Sequence, residues 1–171
     1  MRAGIASLEL YRKVEADRDS ANLENDLALS YLALGNTRKA FELAASSRGR
    51  LEALGDEWLL SHVVDTQARI ELAGGAADRS ASLAQESLAL AEHANNVKAS
   101  VDALLTLARA QAAMGQLETA LESNRRAGEL ARQLGNASLL RRALREWADS
   151  LAAAGQHEQA FAVMREALAG S

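Results

Sequence analysis

Two series of turn-forming residues recur along this chain every 40 residues, and a period of that length marks a repeat architecture. Gly35, Gly75, Gly115 and Gly155 form the first series; Gly55-Asp56, Asn95-Asn96 and Gly135-Asn136 form the second. Gly or Asn takes the left-handed backbone conformation just past a helix C-terminus, and the Asp or Asn that follows caps the next helix through its side-chain oxygen. Each unit therefore reads as a helical hairpin, in which helix A ends at the first glycine and helix B at the second turn. The spacing predicts A helices over 21–34, 57–73, 97–114 and 137–154, and B helices over 37–54, 77–94, 117–134 and 157–169. Alanine and leucine supply 38 and 28 of the 171 residues and proline is absent, so helix formers dominate throughout and the expected fold class is all-α.

Small residues recur where paired helices must approach closely. Ala28, Ala68, Ala108 and Ala148 form one series; Ala40, Ser80, Ala120 and Ala160 a second; Ser47, Ser87, Ala127 and Ala167 a third. This pattern of small residues around a turn resembles the tetratricopeptide repeat, over about 21–170. The resemblance implies a right-handed superhelical stack of antiparallel hairpins, an α-solenoid. It departs in detail: the family's tyrosine survives only as Tyr31, with Glu71, Gln111 and Leu151 at the equivalent places, and the period is 40 rather than 34. The six extra residues add about one and a half turns per unit. Longer repeats of this kind are similar to those in the sensory C-terminal halves of bacterial helix-turn-helix transcription regulators, and Leu144–Asp149 followed by Gly155–Phe161 is similar to their last repeat. The expected organisation is one repeat domain over 1–171, with repeats at about 17–56, 57–96, 97–136 and 137–171. Residues 1–16 would form a half repeat, a B helix over 5–16 with no A partner, because Ser7, Tyr11 and Val14 lie one period before Ser47, Leu51 and Leu54.

The same resemblance implies that the A helices line a concave wall. The groove positions are then Asn22, Asn25 and Asp26, with Leu29 and Leu32; His62, Asp65, Thr66 and Arg69, with Leu72; Asp102, Thr106 and Arg109, with Leu105 and Ala112; and Arg142, Arg145 and Asp149, with Glu146. Such a wall is polar and carries both charge signs, which suits a peptide backbone or a small polar effector better than an apolar ligand. Arg69 and Arg109 occupy the same position in adjacent repeats. They could hold a carboxylate or phosphate together, or pair internally with Asp65, Asp102 or Glu146. The family's two-carboxylate clamp for chaperone tails wants Lys, Asn, Asn, Lys and Arg where this chain has Asn25, Leu29, Thr66, Asp102 and Thr106, so that ligand is not expected.

Composition narrows the chemistry. There is no cysteine, the three histidines fall on three different helices, and no nucleophile elbow, phosphate loop or zinc-binding His pair is present, so neither an enzyme nor a cofactor is expected. Gly74-Gly75 is the only glycine pair and falls on a repeat turn, and Trp58 at a helix start marks an inter-repeat joint or a contact surface. Trp147 aligns with Leu27 and Leu107 and reads as core. No apolar run reaches the roughly 18 residues of a membrane span and the N-terminal segment lacks a signal-peptide core, which points to a cytoplasmic protein. The net charge of −4 argues against an autonomous nucleic-acid binder. Arg125, Arg126, Arg132, Arg141, Arg142 and Arg145 nevertheless make a basic stretch opposed locally only by Glu122 and Glu129. It could meet phosphates, an acidic partner or another domain. Two functions are therefore expected from the sequence: an interaction and sensing module of a bacterial transcription or signalling regulator, taking a protein, a peptide or a small effector in its groove, or a scaffold that builds homo-oligomers through its array ends, where Phe161, Val163, Met164 and Leu168 lie on the last helix.

Overall fold

The computed structural model describes residues 2–169, and side chains from residue 13 onward. Eight helices follow one another: α1 (Arg2–Ala33), α2 (Thr37–Leu54), α3 (Glu57–Ala73), α4 (Ala77–His93), α5 (Val97–Ala113), α6 (Leu117–Leu134), α7 (Ala137–Ala153) and α8 (His157–Ala169). No strand occurs among the described residues. The helices pair as four consecutive hairpins, each packed only on its neighbours, which is a helical solenoid.

All seven connections use one device. Gly35, Gly55, Gly75, Asn95, Gly115, Gly135 and Gly155 have φ between 52° and 82°, the left-handed region where a side chain is strained. After six of them the next residue's amide closes back on the carbonyl five positions earlier, as from Asn36 to Tyr31 and from Asn96 to Ala91. Side-chain caps then start helices at Asn36, Asp56, Asn96 and Asn136, whose oxygens accept the amides of Lys39, Leu59, Ala99 and Leu139 at 3.0–3.1 Å.

Every member of the three small-residue series is buried. Two of them also bond across the hairpin: the hydroxyls of Ser47 and Ser87 donate to the carbonyls of Ala21 and Ser61 at 2.6 and 2.7 Å. Helix axes can come this close only because nothing larger than a hydroxyl lies between them.

The N-terminus differs from the expected half repeat. Residues 5–16 are not a separate B helix; they continue α1 without interruption. Ala16-Asp17-Arg18-Asp19-Ser20 contains neither the glycine nor the asparagine that takes the left-handed conformation at every turn of this chain, so nothing ends the helix there. The side chains of Ser7 and Tyr11, which carried the alignment, lie outside the described residues. Leu27 is exposed, unlike its equivalent Leu107, and Trp147 is half-buried with its ring across the space beside Gly128.

Ala108→Leu inserts three heavy atoms at a buried crossing and is expected to cost about 1–3 kcal/mol, lowering the melting temperature in a thermal unfolding series.

Candidate binding groove

The odd-numbered helices form one wall, and three cavities run along it in sequence. The first, about 340 Å³, is bounded by Asn22, Asn25, Asp26, Trp58, His62, Asp65, Thr66, Arg69, Lys98, Asp102 and Arg142, with Leu29 and Leu59. A second of about 160 Å³ adds Leu105, Thr106, Arg109 and Glu146. A third and larger one, about 730 Å³, lies between α7 and α8 and is bounded by Ser138, Arg141, Arg142, Arg145, Glu146, Asp149, Met164, Ala167 and Leu168. Arg142 borders all three, so they read as one groove.

Each polar groove residue expected from the sequence lines one of these cavities, as do Leu29 and Leu105, whereas Leu32, Leu72 and Ala112 line none of the three. Three further residues extend the row: Trp58, Lys98 and Ser138 also lie at 40-residue spacing, one turn before His62, Asp102 and Arg142. That extra row comes from the added length of the repeat, and its spacing was readable in the sequence. Trp58 is thus a groove residue, its ring edge-on to His62 at 5.1 Å between centroids. Leu32 instead packs in the core with Tyr31 and Leu43.

Electrostatics separate engaged groups from available ones. Arg109 grips Glu146 with two hydrogen bonds of 2.9 and 2.5 Å, and Asp102 holds both Lys98, at 3.1 Å, and Arg142. The Arg69/Arg109 pair expected to act together is therefore split. Arg69, half-buried in the groove, has no ion-pair partner among the described residues, and neither does Asp26. Beside Arg69, Asp65 is buried and its Oδ1 has no hydrogen-bond partner. Burial pushes its carboxyl up to about 6, against the Thr106 hydroxyl and the Arg69 and Arg109 charges, which pull it down. Asn25 Oδ1 is a second buried acceptor without a partner. His62 is held below its ordinary pKa by burial, with Lys98 adding to the effect, and its ring lies 3.1 Å from the Asn96 amide.

The basic stretch dissolves into ion pairs. Arg125 joins Glu122 and Glu129, Arg126 reaches Glu92, Arg132 binds Glu166 at 2.7 and 2.8 Å, and Arg142 takes Asp102. Only Arg141 and Arg145 of the six have no such partner among the described residues. Among those residues no group of three or more His, Asp or Glu is arranged for a metal, and no helix is long and apolar enough to cross a membrane.

A wall of stacked hairpins with a polar groove defines a tetratricopeptide-like helical-repeat fold. Solved structures bear this out. Aspartyl phosphate phosphatase F from Bacillus subtilis is similar over 90% of this chain with a TM-score of 0.80 at 15% identity. A Rap protein complexed with competence and sporulation factor is similar over 88%, at 0.75 and 18%. A signal-transduction ATPase with a tetratricopeptide repeat sensor from Pyrococcus horikoshii is similar over 90%, at 0.73 and 17%. The chain spans 40%, 43% and 24% of those proteins. No family model and no curated protein matches the sequence.

Asp65 gives the groove a pH signature. Its folded pKa lies above the ordinary 3.8, so the native state holds a proton that the unfolded chain releases between those values. Stability then falls as pH rises from about 4 to 6, and the deficit stays above that. Asp65→Asn is expected to match wild type near pH 4 and to exceed it at pH 7 by about 3 kcal/mol, checked by chemical unfolding across that range.

Proposed function

We propose that this chain is a non-catalytic interaction and sensing module that binds a peptide or an extended segment of a partner protein along its concave groove. One observation carries the reading. Asp65 Oδ1 and Asn25 Oδ1 are buried acceptors without donors, and Arg69 is a donor without an acceptor, all on one cavity wall beside the half-exposed ring of Trp58. An unmade hydrogen bond at a buried group costs about 1–3 kcal/mol, and a ligand presenting amide N–H and C=O groups recovers it. Peptide backbone has that alternation, and its side chains find an apolar surface on Trp58 and Leu29. The similar structures support the reading, since one is a Rap protein complexed with a factor and another carries this fold as a sensor. The resemblance of its 40-residue repeats to the sensory repeats of bacterial regulators extends the proposal: the module belongs to a cytoplasmic bacterial regulator of transcription or signalling. Direct contact with nucleic acid is not part of this function, because most of the basic stretch is already neutralised within the chain.

A second reading, a scaffold assembling copies through the array ends, is favoured by the exposure of Leu23 and Leu27 on α1 and of Phe161 and Leu168 on α8. The two are compatible.

The groove reading is tested by selecting ligands from a random-peptide display library and measuring them by the fluorescence of Trp58 in a Trp147→Phe background. Arg69→Gln is expected to weaken the selected peptides about tenfold or more, which is roughly 1.4 kcal/mol. Arg109→Gln should weaken them less, because that guanidinium is engaged with Glu146, and Arg79→Gln outside the groove should leave them unchanged. Equal affinity in all three variants removes the groove from consideration. Selection of free polar effectors with no peptide binding would replace the peptide by a small ligand.

A further inference from the structure

Asp65 is a charge buried at a position where the fold has no need of one. Its equivalents one repeat before and one repeat after are Asn25 and Leu105, and the three are 6%, 6% and 2% exposed in chain order Asn25, Asp65 and Leu105. Leu105 shows that an apolar side chain fills this place in the stack. Asn25 and Asp65 instead each leave a buried Oδ1 without a hydrogen bond. Both residues line the first groove cavity, and Asp65 lines the second as well, so the two unanswered acceptors lie on the groove floor.

The groups around Asp65 are committed elsewhere. Asp102 holds Lys98 and Arg142, and Arg109 holds Glu146. Thr66 gives its hydroxyl hydrogen to the His62 carbonyl at 3.0 Å. The Thr106 hydroxyl bears on the Asp65 carboxylate, but it has one hydrogen to give and Oδ1 remains without a donor. Arg69 follows one turn later on α3, yet no ion pair joins it to Asp65. With its pKa pushed up to about 6, Asp65 is still ionised at neutral pH, and no counter-charge is bonded to it. Asp26 adds a second carboxylate to the lining of the first cavity.

A neutral amide N–H satisfies a carboxamide such as Asn25 as well as it satisfies a carboxylate, and the carboxamide has no charge to desolvate. A carboxylate outdoes it only against a donor that carries positive charge, where the hydrogen bond is charge-assisted and the buried ion is neutralised. Trp58, His62 and Asp65 follow at steps of four and three residues on one face of α3, over two turns or about 10 Å. The two rings lie 5.1 Å apart, so an apolar stem reaching Asp65 passes along aromatic surface. An apolar stem with a charged head is the form of a lysine or arginine side chain.

We propose that the groove holds a positively charged group of its peptide ligand, an ammonium or a guanidinium, at Asp65, while Asn25 accepts an amide N–H of the same ligand. This inference rests on the groove reading and names the ligand group that the groove selects. It leaves Arg69 for an acceptor on that ligand.

The test screens the full chain against three libraries of short synthetic peptides on beads: one acetylated and containing Lys and Arg, one acetylated with norleucine and citrulline in their places, and the second again with free amino termini. Wild type is expected to draw its binders from the first library, with Lys or Arg at a fixed place in the sequence. Binders drawn from the third would assign the same site to a peptide's amino terminus. Exchanging the charged group for its neutral analogue should weaken binding at least tenfold in wild type and by less than about twofold in Asp65→Asn. Circular dichroism and a thermal melt at pH 7 should show Asp65→Asn folded and melting above wild type, which separates loss of this preference from loss of fold. No binder in any library overturns this subsite and the groove reading together. Binders selected without regard to positive charge, or a charged-to-neutral loss of equal size in wild type and Asp65→Asn, overturn the cation subsite alone and leave the groove standing.

Discussion

A single left-handed residue after each helix is the constraint on which the rest of this molecule depends. It reverses the chain in about three residues, too few to let the next helix leave its predecessor, so each helix must find its packing partner in the helix just made. The turns recur at constant separation, and the same face of every helix therefore meets the same face of its neighbour. Small residues at the crossings follow from that geometry. With helix axes held close by short turns, a larger side chain at Ala68 or Ala108 would have no space, and at Ser47 and Ser87 the hydroxyl finds a carbonyl across the hairpin.

Charge on this protein is organised by repeat as well. Arg48 with Glu86, Arg126 with Glu92 and Arg132 with Glu166 join successive even-numbered helices on the outer layer, and Arg109 with Glu146 and Arg142 with Asp102 join successive odd-numbered helices inside. Pairs this exposed add little to stability, about 0–1 kcal/mol each, but they decide which groups stay available. In the segment of the groove between the first and second hairpins, Arg69 and Asp26 have no ion-pair partner among the described residues, and Asp65 Oδ1 and Asn25 Oδ1 have no hydrogen bond. Because each hairpin touches only its neighbours, a shift at one step is passed to the next.

The fold was legible in the sequence because its determinants are local and repeated. A turn residue, a cap and a small residue at the crossing act within one or two helices, and four copies of each make the period visible above chance; seven of the eight helices start and end within a residue of their expected bounds. The exception is instructive. Alignment placed a helix at 5–16, but the turn chemistry that would have separated it from the next helix is missing, and that local absence decided the matter.

Position within the groove was legible too, since the residue rows follow the same period, and the Trp58, Lys98 and Ser138 row could have been read by stepping back one turn from His62, Asp102 and Arg142. What each groove residue does was not. Whether a guanidinium is available depends on which carboxylate 34 to 40 residues away lies within reach, and Arg69 and Arg109, alike in sequence position, differ only in that. Likewise, the raised pKa of Asp65 arises from burial between two hairpins, a property of the packed stack. By itself the sequence determined the turns, the helices and their order, because those depend on neighbouring residues. Only the tertiary structure decided which polar groups are spent on one another and which are left for a partner, because that balance is struck across repeats, where side chains far apart in the chain compete for the same partners.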